Sequence, residues 1–397
     1  VFGDAASLEK KSGRKLTDLH KHFVDDITFK CSQCSGAMKR VSEVFDCWFE
    51  SGSMPYAQLH YPFENKDRLE SIFPADFIAE GLDQTRGWFY TLSVLSTALF
   101  DRPAFKNVVV NGIICDETGK KMSKRHRLYM VNSPILRGED LIFSDKGVIE
   151  TIRAVILPLW NAQSFLTTYA EADGWVPSAE LANGKRPNTS VEMDRWIISR
   201  LHTMIDGVHK HMENYHLYAV VPVILGFIDE LTNWYIRLSR RRFWGKADGA
   251  KSGLDADQKS AYETLYYVLV QFTKVFAPFA PFVSDRVYRN LTEGLSGVAE
   301  SVHLTDIPMS EGPAIDAALE ADMDLVRRAT ELGRSLRSKH QIKTRQPLSS
   351  LLIITRKDRD KEAIDRGQHI IKDELNVKQI EFSTDEAKFV RLGVKPN

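Results

Sequence analysis

No stretch of this 397-residue sequence is apolar for long enough to span a bilayer. The longest run, Tyr218 to Ile228, falls short of the roughly 20 residues needed and is interrupted by Pro222 and Gly226. There are only 4 cysteines, too few and too scattered for a disulfide framework, so a reducing, cytoplasmic setting is expected. No signal peptide opens the chain. Neither sign of charge is in excess, with 53 Lys and Arg against 53 Asp and Glu. That balance excludes binding of nucleic acid over the whole surface and leaves RNA contact to local basic patches. Internal repeats and long low-complexity tracts are also lacking, which excludes a solenoid. What remains is an ordinary globular composition, 43% hydrophobic and 27% charged, long enough for about two to four domains.

The stretches that carry chemistry lie close together. Val108 to Cys115 is an apolar, β-branched run that reads as a buried strand, and Asp116-Glu117-Thr118-Gly119 reads as a turn. Lys121-Met122-Ser123-Lys124-Arg125 follows, with two ammonium groups on a short loop. Such a loop can close over a polyanion and neutralise charge building on a leaving pyrophosphate. Alone, Lys-Met-Ser-Lys is an ordinary solvated turn. Here it follows Glu80-Gly81-Leu82-Asp83-Gln84-Thr85-Arg86-Gly87-Trp88-Phe89, and Asp46-Cys47-Trp48-Phe49-Glu50-Ser51-Gly52 lies upstream. Phe73 to Ile78 is a second strand candidate, and Thr85 to Phe100 looks helical. Both motifs therefore follow strands, where open α/β sheets hold their ligands.

Together these segments resemble the second half of the catalytic domain of isoleucyl-tRNA synthetases, within the class I aminoacyl-tRNA synthetases. The DQxRGWF block separates the isoleucyl branch from valyl and leucyl relatives, and Arg125, in place of the final serine of KMSKS, resembles eukaryotic-type members. The resemblance implies that Lys121 and Lys124 hold the ATP phosphates, with Met122 and Ser123 completing the loop. It also implies that Glu80, Gly81, Asp83 and Gln84 meet the aminoacyl-adenylate, and that Asn111 stands where bacterial members usually have histidine. Trp48 and Trp88 look like the indoles walling the isoleucine side chain. Rigid aromatics suit a pocket that measures an alkyl group by shape, although outside these motifs both would read as core tryptophans.

The resemblance implies five segments. Residues 1-45 are the returning limb of the connective, editing-bearing insertion, and 46-126 are the second half of a Rossmann-like α/β nucleotide-binding domain. Residues 127-185 are a connecting, stem-contact domain. Residues 186-310 form an all-α anticodon-binding helix bundle, and 311-397 a small α+β C-terminal junction. Cys31-Ser-Gln-Cys34, followed by Gly36, reads as a zinc knuckle that supplies two of four ligands. Arg125 runs directly into His126-Arg127-Leu128, where the family has a turn and a helix, so about one loop and one helix are expected to belong there. Asn132-Ser-Pro134, Arg137 to Asp140 and Leu157 to Ala162 match the connecting domain, with Arg137 and Lys146 reading as solvated charges.

Further on the period is helical. Ile197, Leu201, Met204, Ile205, Val208 and Met212 trace one face, and Leu265, Val268, Leu269, Phe272, Phe276 and Phe279 another, ended by Pro278 and Pro281. Between them lies Asn233-Trp-Tyr-Ile-Arg237-Leu-Ser-Arg240-Arg241-Arg242-Phe-Trp244. Arginines interleaved with aromatics can bind phosphate and stack on unpaired bases; equally, Trp234, Tyr235, Leu238 and Phe243 can face the core and leave the arginines on a solvated stripe. The block resembles the isoleucyl WYIRxSRxRFW signature, which implies tRNA contact by Arg237, Arg240, Arg241, Arg242 and Trp244. Leu319, Met323, Val326, Leu332 and Leu336 trace a further helix, followed by a strand at Leu351 to Thr355.

The implied activity is two-step ligation: isoleucine and ATP with magnesium give isoleucyl-adenylate, and the acyl group passes to tRNA(Ile). No HIGH-type motif and no complete editing domain are found in the sequence. The chain is therefore expected to be the C-terminal part of a larger protein; a non-catalytic tRNA-binding fragment, or a valyl- or leucyl-type enzyme, is the alternative.

Overall fold

The structure, a computed structural model, describes residues 2–112, 114–115, 141–142, 145–244 and 254–385. The chain divides into two units, Val1–Val110 and Asn111–Asn397.

In the first unit an antiparallel hairpin, β1 (Thr28–Lys30) with β2 (Ala37–Lys39), carries the Cys31 turn. Helix α1 (Cys47–Ala57) starts at Asp46, whose carboxylate accepts the Trp48 N–H at 2.7 Å, a side-chain N-cap. Strand β3 (Ala75–Gly81) leads through a 3₁₀ turn, Leu82–Arg86, into α2 (Trp88–Phe100), and β4 (Phe105–Asn111) returns beside β3 in the same sheet. Leu59, Leu69, Phe73, Ile78, Phe89, Leu92 and Ala104 form the core beneath. The expected helix from Thr85 thus starts later, because its backbone is interrupted at Gly87 (φ −133°). The expected single strand from Val108 to Cys115 is also broken. Its pairing begins at Phe105 and ends at Asn111, and Ile114–Cys115 forms a separate strand β5, parallel to β6 (Leu141–Ile142).

In the second unit the helical period is realised almost as the sequence implies. Helix α3 (Leu157–Asp173) ends at Gly174, whose φ of 68° is the left-handed cap that glycine adopts freely. It packs with α4 (Glu192–Glu213), the continuous helix α5 (Leu217–Phe243), α6 (Ala256–Phe276) and α7 (Pro281–Thr292) around one core. Ile197, Leu201, Met204, Ile205 and Val208 are buried as expected; Met212, at the end of the row, is exposed. Helix α5 is long and apolar enough to cross a membrane by length and composition, beyond the short run read from the sequence, because apolar spacing continues past Ile228. Its Val220, Ile224, Phe227, Leu231, Trp234 and Tyr235 are buried in the bundle core. Residues Glu230–Ile236 of this helix are wound as a π segment, and Glu230 points from it to Arg200 (2.8 and 2.9 Å) and Arg327 (2.7 Å).

Helix α8 (Ala317–Lys339) packs on α4 and on a closing β-α-α-β unit. That unit comprises β7 (Leu348–Ile354), α9 (Asp358–Arg366), α10 (Gln368–Leu375) and β8 (Val377–Ser383), with the strands parallel in the register Leu351↔Ile380. The apolar row expected on α8 is only half right. Met323 and Val326 are buried, but Leu332 and Leu336 are exposed, and the inward positions are Thr330, Gly333 and Arg337. Gly333 is needed there because a Cβ would overlap Leu375, and Arg337 caps the carbonyls of Lys343 (2.9 Å) and Gln346 (3.0 Å) from inside.

Candidate functional site

The two signature blocks of the first unit meet at the packing seam between α1 and α2. Trp48 stands in the first turn of α1 and is 43% exposed; Trp88 opens α2 and is half-buried. The Trp88 indole Nε1 donates to the Ser51 carbonyl at 3.0 Å, which ties one indole to the helix that carries the other. The Gln84 side-chain oxygen accepts the Trp88 backbone N–H at 3.1 Å and so acts as a cap for α2. Glu80 and Gly81 end β3, Asp83 lies exposed in the 3₁₀ turn, and the Gln84 amide approaches the Asp83 carboxylate at 3.5 Å. Glu80, Gly81, Asp83, Gln84, Trp48 and Trp88 therefore cluster at the end of β3 and the adjoining helix starts. Asn111 is the last residue of β4, half-buried. Lys121, Met122, Ser123, Lys124 and Arg125 lie outside the described residues, as do the Asp116–Gly119 turn, the Arg125–Arg127 junction, Asn132–Pro134 and Arg137. Lys146 is exposed beside Glu150 at 3.9 Å.

The Cys31 turn has the form of a metal knuckle. The Cys31 N–H donates to the Gly36 carbonyl at 2.9 Å, and the Cys31 sulfur accepts the Gln33 N–H at 3.4 Å. Backbone N–H groups of Gln33 and Cys34, then the Cys34 side chain, lower the Cys31 thiol pKa below its ordinary value and favour the thiolate that soft metals bind. Among the described residues, however, no group of three or more His, Cys, Asp and Glu stands together. Cys31 and Cys34 are thus two donors where zinc takes four.

In the second unit the aromatic residues of the arginine-rich block turn inward. Trp234 and Tyr235 are buried, and Phe243 packs edge-on between Phe165 (5.0 Å) and Tyr262 (5.1 Å). Arg237, Arg240, Arg241 and Trp244, at helical spacing, are exposed together on one face. Arg240 and Arg241 have no ion-pair or side-chain hydrogen-bond partner among the described residues. Arg237 pairs with Glu374, and the Trp244 indole donates to Tyr169 at 3.0 Å. Arg242 points the other way. Its fork donates to both oxygens of Asp194 (2.7 and 2.8 Å), and its Nε to Asp257 (3.0 Å). Asp194, fully buried, also accepts Tyr235 Oη and Ser260 Oγ, both at 2.7 Å. Burial opposes the Arg242 charge, but the Asp194 hydrogen bonds and the charges around it raise its pKa above the ordinary guanidinium value. Burial first, and then Asp194, hold the Tyr235 phenol well above its usual range. The donors of Arg242 are thus committed inside the fold. Asp194 is a structure-shaping residue that motif reading passes over, since a lone Asp in a helix carries no chemical signature.

Residues 3–164 match the family described as tRNA synthetases class I (I, L, M and V), and residues 194–352 match the anticodon-binding domain of tRNA ligase. Isoleucine–tRNA ligases of Protochlamydia amoebophila (strain UWE25) and Chlamydia trachomatis serovar D are each 46% identical over 100% of this chain. The chain belongs to the class I tRNA synthetases. It spans 38% of the length of those two relatives. Their alignments run over 415 and 419 residues, more than the 397 here, so both carry residues with no counterpart in this synthetase chain. Both relatives are bacterial, and the eukaryotic-type reading of Arg125 finds no support among them. The Agrobacterium radiobacter K84 agnB2 LeuRS, solved as a ternary complex with tRNA and LeuAMS, shares the fold. Its TM-score is 0.54 at 15% identity, over 89% of this chain and 43% of that one.

Proposed function

We propose that this synthetase chain works as part of an isoleucine–tRNA ligase, in the cytoplasm. The identity of 46% across the whole chain to ligases of that name is the observation that carries the reading. Isoleucine would attack the α-phosphate of ATP, supplied as its magnesium complex, to give isoleucyl-adenylate and pyrophosphate; the acyl group would then pass to a ribose hydroxyl at the end of tRNA(Ile). The seam at Trp48 and Trp88 suits the isoleucine side chain, with Glu80, Gly81, Asp83 and Gln84 beside it and Asn111 at the end of the next strand. Lys121 and Lys124, with Met122 and Ser123, are assigned the phosphates. Catalysis on this reading is positioning and charge stabilisation, with no covalent intermediate on the protein.

Arg240 and Arg241, exposed and without partners among the described residues, are assigned to tRNA phosphates, with Arg237 and Trp244 on the same face and Arg242 holding that face in place. Cys31 and Cys34 fit half of a zinc site, and no step depends on it. The test is Lys124→Ala in the polypeptide that contains this chain. Isoleucine-dependent ATP–pyrophosphate exchange should fall by about 10²-fold or more, while tRNA affinity stays close to wild type. Unchanged exchange would refute the role given to the loop.

A further inference from the structure

The seam that carries both indoles is closed by two glycines, and neither is there for a left-handed backbone. Gly52 lies inside α1, where glycine is less favourable than alanine, and Gly87 has a φ of −133°. What each lacks is room. A Cβ on Gly52 would stand 2.9 Å from Leu95 Cδ1, 3.0 Å from Thr91 Cβ and 3.1 Å from the Thr91 backbone carbon. The leucine tip can turn away, but the backbone carbon cannot. Helix α1 would therefore retreat from α2 by roughly half an ångström to reach normal carbon–carbon contact. A Cβ on Gly87 would stand 2.9 Å from Trp48 Cη2, 3.1 Å from Trp48 Cζ3 and 2.9 Å from Gln84 Oε1. It would lift the indole of Trp48 and disturb the amide that caps α2. Between these contacts runs the bond from Trp88 Nε1 to the carbonyl of Ser51, the neighbour of Gly52.

From this we infer that Gly52 and Gly87 are positioning residues that set the separation of the Trp48 and Trp88 indoles, and with it the width of the amino-acid side-chain pocket. The inference rests on the functional reading above, which makes those indoles the pocket walls. A displacement of this size matters because the pocket must resolve a single methylene. Such a difference gives about 10–200-fold discrimination in an apolar site, and isoleucine against valine is itself a standard example of that range.

The experiment uses the polypeptide that contains this chain and measures ATP–pyrophosphate exchange with isoleucine and with valine for Gly52→Ala, Gly87→Ala and a control, Leu269→Ala. Leu269 is fully buried in the helical core of the second unit, whereas both indoles belong to the first. The glycine variants should raise KM for isoleucine about tenfold with kcat nearly unchanged, the mark of lost side-chain binding, and compress the isoleucine-to-valine ratio in kcat/KM. Leu269→Ala should lower the melting midpoint and leave that ratio alone. If Gly52→Ala does not fold, Gly52→Ala with Leu95→Ala removes the closest contact and carries the same test. An unchanged ratio in folded glycine variants, against an active wild type, overturns this proposal alone. A wild-type polypeptide that does not activate isoleucine overturns this proposal and the functional reading together.

Discussion

Replacing Asp194 by asparagine tests the buried network that anchors the arginine face. The substitution keeps the shape of the side chain but removes the charge that satisfies Arg242, whose side chain is 15% exposed, and turns an amide toward donors that need an acceptor. Breaking a buried ion pair by altering one partner typically costs about 3–5 kcal/mol. The Asp257 carboxylate remains within 2.9 Å of the guanidinium but is 52% exposed, so it screens the loss only in part. A cost of about 3 kcal/mol follows, which for a unit of this size lowers the melting midpoint by about 5 °C. Calorimetry or urea unfolding measures it. The paired change Asp194→Leu with Arg242→Met removes both charges and should recover part of the loss, the remainder being the buried Tyr235 Oη and Ser260 Oγ left without their acceptor. A change within about 0.5 kcal/mol for Asp194→Asn, the level of an ordinary surface substitution, would refute the structural role given to this pair.

Two further outcomes follow from the second unit. His202 is buried with Nδ1 accepting the Glu311 N–H at 3.1 Å and Nε2 against Tyr267 Oη at 3.0 Å; burial lowers its pKa, opposed by Glu311 and reinforced by Arg186. Its stabilising contribution is therefore complete above the unfolded histidine pKa of about 6.5 and is lost as pH falls toward the lowered folded value. His202→Gln should flatten the slope of stability against pH in that window, and an unaltered slope would contradict the assignment. On the exposed face, Arg240→Ala with Arg241→Ala should weaken tRNA binding and reduce the dependence of log Kd on log salt by about two; an unchanged salt slope in a filter-binding titration would remove these arginines from the interface.

Much of this architecture was legible because helix period and motif order agree. The apolar rows of α4 and α6 are buried as their spacing implies, apart from Met212 at the end of the first, and Trp48, Gln84 and Trp88 meet although Trp48 is far from the other two in the chain. Periodicity failed where a side chain from another segment decides the outcome. On α8 the inward positions include Gly333 and Arg337, which pattern reading passes over in favour of leucines. They turn inward because Leu375 fills the space at Gly333 and because backbone carbonyls near Lys343 and Gln346 need a donor. Arg242 illustrates the same limit. Nothing in a run of three arginines tells which one faces a buried aspartate 48 positions earlier.

The pocket between these indoles is proposed to select isoleucine. Its most direct test is ATP–pyrophosphate exchange by the polypeptide that contains this chain, with isoleucine, valine and leucine compared side by side. Isoleucine should give the highest kcat/KM, with valine lower by about 10–200-fold and leucine near background. Preference for valine or leucine would contradict the isoleucine assignment, and no exchange with any of the three would contradict the ligase reading itself.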